Sequence, residues 1–225
     1  MMKRLFVHFS GKVAKNASWL IGGNIAQKLM AFLVGIWTAR YLGPSNYGLI
    51  NYAAAYTTFF FSLSTLGINS VLVKEFIDDP EHEGTTLGTT LVLQCVASLC
   101  SIFAIFLIIS FIDFGETQTI IVVLLCSLGL FFQAFDTVRY WFQARLESKY
   151  AAIATLIAYA ITSLYKIVLL IRGMSVEWFA VATSIDYVLI AMILLFAYRR
   201  KGGVKLNFSF NKAKKILCKS HHFIL

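Results

Sequence analysis

Residues 36–52, IWTARYLGPSNYGLINY, decide how this chain folds. An apolar run reaches Arg40, turns through Gly43-Pro44-Ser45-Asn46 and at once becomes apolar again. Glycine reaches backbone angles that other residues avoid and so ends a helix. Proline lacks an N–H and is tolerated only in a helix's first turn, so it opens the next one. Tyr41 and Tyr47 flank the turn as belt aromatics flank a membrane surface. The stretch reads as a tight connection between two apolar helices, and Arg40 is the one residue the turn does not require.

Working outward, 59% of the 225 residues are hydrophobic and only 14% are charged, outside the range of soluble domains. Crossing about 30 Å of hydrocarbon takes roughly 20 apolar residues. Six runs qualify, near 18–39, 47–71, 87–111, 118–140, 150–171 and 177–198. The expected fold is therefore an all-α integral membrane bundle. Short links at 41–46, 112–117 and 172–176 pair the spans into three antiparallel hairpins. An even number of crossings returns both termini to one side.

Lysine and arginine name that side. Lys3, Arg4, Lys12 and Lys15 precede the first span, Lys74, Arg139, Arg145 and Lys149 lie in the next two links on the same face, and a run from Arg199 to Lys219 follows the last span. Arg40 and Arg172 stand alone on the opposite face. The termini are thus expected in the cytoplasm, with 1–17 a basic lead-in, 18–198 the membrane lobe and 199–225 a basic tail. Because topology places these charges, the net charge of +9 does not indicate nucleic-acid binding. The first apolar run is too long for a cleaved signal peptide and is expected to remain as an anchor. Cys95, Cys100, Cys126 and Cys218 show no paired spacing, and His8, His82, His221 and His222 no ligand set. The acidic segment 72–86, VLVKEFIDDPEHEGT, reads as a solvated loop, with Pro80 ending any continuation of the second span.

Polar residues inside the spans form stripes at helical spacing: Asn24, Gln27, Lys28 and Thr38 in the first, Asn51, Ser62, Thr65 and Asn69 in the second, Thr90, Gln94 and Ser101 in the third, and Thr155, Tyr159, Thr162 and Lys166 in the fifth. Small hydroxylated residues let membrane helices pack closely, which explains most of the serines and threonines. Lys28, Asp136, Lys166 and Asp186 are different, since each costs about 2.5–3.5 kcal/mol at the bilayer centre. They must meet each other or water. One arrangement pairs Lys166 with Asp186 and Asp136 with Arg139, locking helices together. The other lines a wet cavity for a polar or anionic substrate. No Walker loop, HExxH or GxSxG is present, so enzymatic chemistry is not expected, and Gly22-Gly23 reads as a packing point.

Asn16, then Arg40-Tyr41-Leu42-Gly43-Pro44 with Tyr47-Gly48, resembles the signature of bacterial polysaccharide-unit flippases, the polysaccharide-transport branch of the MATE-like superfamily. Leu66-Gly67-Ile68-Asn69 with Lys74-Glu75, and Trp141-Phe142-Gln143-Ala144 with Glu147, Lys149 and Tyr150, extend the likeness. The resemblance implies transfer of undecaprenyl-pyrophosphate-linked oligosaccharide units across the bacterial inner membrane by alternating access, for O-antigen, capsule or related polymers. Arg40 and Lys28 are the leading candidates for the diphosphate, with Asn24, Gln27, Asn51, Asn69, Gln94, Asp136, Lys166 and Asp186 as the cavity set. No cofactor is implied beyond a coupling proton or sodium ion. Implied partners are membrane lipids, polysaccharide polymerase and glycosyltransferases. Family members carry two six-helix lobes, so this chain corresponds to the N-terminal one, its tail approaching a seventh helix, and a second lobe or second copy is expected beside it. Other readings of the same residues are a cation-coupled exporter working through Asp136 and Asp186, and a non-transporting subunit docking enzymes on its tail.

Overall fold

The computed structural model describes residues 2–220, with side chains from residue 14 onward apart from Ser70. Among these described residues nine α-helices follow in order: α1 (Met2–Ser64), α2 (Asn69–Asp78), α3 (Glu83–Ile112), α4 (Thr117–Ser127), α5 (Gly129–Gln133), α6 (Val138–Ala144), α7 (Lys149–Arg172), α8 (Val176–Arg200) and α9 (Phe210–Ser220). Short 3-10 turns at Pro80–His82 and Ala134–Thr137 complete the order, and no strand occurs among the described residues. Five helical stretches are long and apolar enough to cross a membrane. The first, Ala14–Ser64, has 51 residues, about 76 Å at 1.5 Å per residue and more than twice what one crossing needs.

Gly43 resolves that excess. Its angles, φ 73° and ψ 174°, lie in a region open essentially to glycine alone, and Pro44 follows as the first residue of the second arm. Tyr41 and Tyr52 then reach the far links of the bundle: the Tyr41 hydroxyl donates to the Met174 carbonyl at 3.1 Å, and the Tyr52 hydroxyl to Asp113 at 2.9 Å. At the opposite end, the Ser148 amide donates to Asn16 at 2.8 Å, and Arg145 pairs with Glu83 at 2.6 Å. The three short links gather at one end and the basic segments at the other. Gly23 lets α1 approach α7, since a β-carbon there would sit 3.0 Å from Ala152 Cβ, whereas Gly22 faces open space.

The segment expected to be a solvated loop is instead structured. α2 runs to Asp78, Pro80 opens a 3-10 turn, and α3 starts at Glu83. Glu75 and Glu83 are buried, at 4% and 5% exposure, because cations distant in sequence reach them. Lys212 and Lys219 bond Glu75 at 3.0 and 2.5 Å, and the Trp141 indole N–H joins Arg145 on Glu83. The tail is docked in the same way: α9 lies against α2 and α3, with Lys212 also 2.7 Å from Asp79. Before it, an extended strap crosses α3 over Gly84 and Gly88, where a β-carbon would come within 2.5 Å of the Lys205 and Asn207 carbonyl oxygens. Two glycines one turn apart make the groove that admits a bare backbone.

Two spans depart from continuous helices. The second arm of α1 stops at Ser64, and Leu66 and Gly67 both take left-handed angles before α2 resumes. The expected span 118–140 is broken after Ser127 and again through the 3-10 turn at 134–137. Backbone irregularity at membrane depth is tolerated only where protein groups take over the freed hydrogen bonds. Here the Ser184 hydroxyl takes the Leu125 carbonyl at 2.5 Å.

Candidate functional site

The apolar interior is divided in two. One cluster, at the basic end, contains Leu72, Leu91, Val138, Trp141, Ala158 and Leu194; the other, at the end with the short links, contains Phe60, Ile105, Val122, Leu130, Leu169 and Phe179. Along every element that contributes to both, polar residues occupy the positions between: Ser64 and Thr65, Gln94 and Ser98, Gln133 to Thr137, Thr162 to Lys166, and Thr183 to Asp186. A polar layer thus crosses the middle of the bundle at the level of both helix breaks.

Half of this layer is a closed knot. Gln94, 4% exposed, donates through its amide to Asn69 Oδ1 at 3.0 Å and to the Thr65 carbonyl at 3.5 Å, and accepts from the Thr137 hydroxyl at 2.5 Å. The Thr65 carbonyl already accepts the Ile68 amide at 3.0 Å in the turn after Ser64, and Gln94 adds a second donor to it. A space of only about 10 Å³ remains beside it, at the lower limit for one water. Asn69 and Gln94 therefore hold two broken helices together.

The other half opens into a cavity of about 190 Å³ lined by Gln27, Gln133, Asp136, Arg139, Thr155 and Asp186, with aromatic and aliphatic walls. Asp136 and Arg139 form a forked pair, with contacts of 2.8, 2.9 and 3.1 Å, and Arg139 also donates to Thr155 on α7 at 2.9 Å. This ion pair is the one expected of Asp136. The other expected pair does not form: Asp186 and Lys166 influence each other's charge across the α7–α8 contact, yet no ion pair within 4 Å joins them. Asp186 is met instead by the Thr162 hydroxyl at 3.1 Å, which also lies 2.8 Å from the Ala158 carbonyl. One hydroxyl proton serves two acceptors. With Asp186 ionised it can go to the carboxylate; a protonated Asp186 could itself donate to Thr162 and free that hydroxyl for the backbone. Lys166 stands one turn beyond Thr162, about 6 Å along α7.

The remaining sequence-predicted residues lie elsewhere. Asn24, Lys28 and Arg40 are exposed on the first arm of α1, while Gln27 turns inward. Arg40 follows Lys28 by twelve residues, about 120° around the helix, so the two do not share a face. Asn51 is exposed and donates to the Tyr47 carbonyl of its own helix at 3.0 Å. Arg139 and Thr155 of the cavity were readable only as a helix-locking partner and as part of a stripe, and Gln133 carried no spacing signal. The residues that carried the family likeness are largely structural: Gly43 makes the turn, Asn16 ties α1 to Ser148, Asn69 joins the knot, Glu75 anchors α9 and Trp141 holds Glu83.

Apolar helices long enough to span a bilayer, broken at a shared polar layer containing charges without ion-pair partners, define a multi-pass membrane protein of the transporter kind. Residues 13–225 match the family model described as polysaccharide biosynthesis protein. The chain belongs to that flippase-type family. No curated protein and no solved structure matched it.

Proposed function

We propose that the chain forms one wall of the path by which undecaprenyl-pyrophosphate-linked oligosaccharide units cross the bacterial inner membrane, with six crossings and cytoplasmic termini. The observation that carries this reading is the polar layer between two apolar cores, in a member of a polysaccharide-biosynthesis family. A sugar diphosphate cannot enter hydrocarbon without replacing its water contacts, whereas its prenyl tail can remain in lipid. Gln27, Asp136–Arg139, Asp186 and Lys166 supply the hydrogen-bonding and ionic groups that such a headgroup needs, and Lys28 and Arg40 supply exposed cations on α1. A cavity of 190 Å³ is below the 300–1,000 Å³ typical of a ligand site, so a repeat unit requires the walls to part, as alternating access demands. The exposed Asn24–Lys28 flank of α1 is where a second six-helix unit, continuous with this chain or a second copy of it, would close the chamber.

Asp186 favours a companion reading, in which a proton or sodium ion drives the cycle. It is a carboxylate met by a shared hydroxyl instead of a cation, so its charge is free to change. The tail is a weaker platform for polymerase or glycosyltransferases, because Lys212, Lys215 and Lys219 are turned onto Glu75. The test is surface polysaccharide in flippase-deficient cells expressing the chain, alone and in any longer parent product. Restoration that fails with Lys166→Met supports the reading; no restoration by well-expressed protein overturns it. Drug efflux driven by a cation gradient, with no effect on polysaccharide, would leave only the exporter.

A further inference from the structure

A second, larger cavity lies at the basic end, away from the polar layer. It measures about 400 Å³ and is walled by Lys15, Asn16 and Trp19 from α1 and by Arg145, Leu146, Glu147 and Lys149 from the α6–α7 connection. Its two walls are tied together. Asn16, 8% exposed, accepts the Ser148 amide at 2.8 Å through its side-chain oxygen, leaving its amide N–H groups to donate. Leu146 holds a left-handed backbone, φ 55°, and the Glu147 amide returns to the Phe142 carbonyl at 2.8 Å, so the connection is a fixed corner.

Charge accounting shows what the cavity attracts. Arg145 is matched by Glu83, and Glu147 by Lys201 at 3.3 Å. Among the described residues, Lys15 and Lys149 have no carboxylate within ion-pair distance; Lys149 sits over the Tyr150 ring, 4.9 Å from its centroid. Two positive charges therefore remain uncompensated in a pocket that also offers amide donors. Trp19, 38% exposed, lies one turn from Lys15, about 6 Å deeper along α1. An indole just inside the membrane with lysines just outside it is the arrangement of the phosphate zone of a bilayer, and basic pockets between helices at that level hold lipid headgroups.

We propose that this pocket binds the phosphate headgroup of one membrane lipid in the leaflet at the basic end. The chemistry is common to an anionic glycerophospholipid and to a polyprenyl diphosphate, and it holds whether or not the chain transports polysaccharide.

The experiment is native mass spectrometry of the full chain in detergent, titrated separately with cardiolipin, phosphatidylglycerol, undecaprenyl diphosphate and zwitterionic phosphatidylcholine. The expected result is a saturating adduct of one anionic lipid per chain, at least tenfold weaker in K15Q/K149Q and unchanged in K205Q/K214Q, which removes two other exposed lysines. Both pairs are exposed and without ion-pair partners, so thermal unfolding should not change. Equal adducts in wild type and K15Q/K149Q, equal loss in both variants, or no saturable adduct overturns the proposal. Displacement of cardiolipin by undecaprenyl diphosphate assigns the pocket to the prenyl carrier, and resistance to displacement assigns it to a resident phospholipid. Polysaccharide export that persists in K15Q/K149Q, while the adduct is lost, separates this site from the transport reading.

Discussion

The basic end and the polar layer treat buried charge in opposite ways. At the basic end each buried carboxylate has strong partners: Glu83 accepts from Trp141 and Arg145, and Glu75 from Lys212 and Lys219. In the layer, Asp136 has its arginine, but Asp186 has only a shared hydroxyl and Lys166 has no acid in contact. Breaking a buried pair is expensive, so a fully paired end resists change. An unpaired intramembrane charge persists only if water or a ligand will meet it. The contrast separates the residues that hold this bundle from those that can act.

The largest test of that contrast is Glu83→Ala. It leaves the Trp141 N–H and the Arg145 guanidinium without their acceptor and should lower unfolding stability by about 2–3 kcal/mol, discounted because Arg145 is half exposed. Thermal unfolding in detergent measures it, and a loss under about 0.5 kcal/mol would mean that pairing at this end is not what holds it. Next comes Gly88→Val, whose β-carbon would meet the Asn207 backbone. Overpacking of this kind costs about 1–3 kcal/mol, and the strap should lift and become cleavable by protease between 203 and 209. Asp186→Asn should reverse the pattern. Export should fall about tenfold, equivalent to about 1.4 kcal/mol, with unfolding unchanged. A variant that unfolds instead would place Asp186 with the structural pairs.

Much of this division was hidden in the sequence, for a physical reason. The Gly43-Pro44 turn, the ends of α7 and α8 and the gathering of the three short links follow from local chemistry, so reading along the chain finds them. Glu75 and Glu83 looked solvated because hydropathy sees neighbours, and their partners lie 144 and 62 residues away. Gly84 and Gly88 straddle the point where the sequence reads as loop giving way to helix, so the single helical face they share in α3 was not legible there. The breaks at 65–68 and 128–137 interrupt apolar runs whose composition is equally good for continuous helix. Gln94, which braces the turn at Thr65, and Ser184, which takes the Leu125 carbonyl, are far along the chain. Within the candidate set, helical spacing pointed to Gln27 and the cost of intramembrane charge to Asp136 and Asp186, but neither showed that Asn24 and Lys28 would lie outside the cavity that Gln27 enters.

Acidification should produce a smaller effect than any of these substitutions. The Lys212 ammonium, with His82 behind it, lowers the Asp79 carboxyl to about 2, and at Glu75 the bonds from Lys219 and Lys212 outweigh the upward push of burial. Carboxyls depressed by folding contribute fully above their unfolded values, near 4, and lose that contribution as pH falls through the folded ones. Docking of α9 should therefore be constant from pH 5 to 8 and weaken only below about 4. A cysteine cross-link between α9 and α2 reads this directly. Undocking near pH 6 would show that the acids at this end are not held by their lysines.

The smallest expected effect compares the two strained leucines, one in each region. Leu66 and Leu146 both hold left-handed angles, φ 52° and 55°, at about 1–2 kcal/mol each. Glycine would relieve the strain and, by loosening the unfolded chain, return about 0.4–1 kcal/mol of the gain. Leu146 is exposed at the rim of the basic pocket and loses little packing, so Leu146→Gly should fall within about 0.5 kcal/mol of neutral. Leu66 packs against the core beside the break, so Leu66→Gly should lose about 1 kcal/mol net once that contact is gone. If Leu66→Gly proves stabilising, strain at the break outweighs its packing. The polar layer would then store energy that the paired end does not, as expected of a hinge held closed by its surroundings.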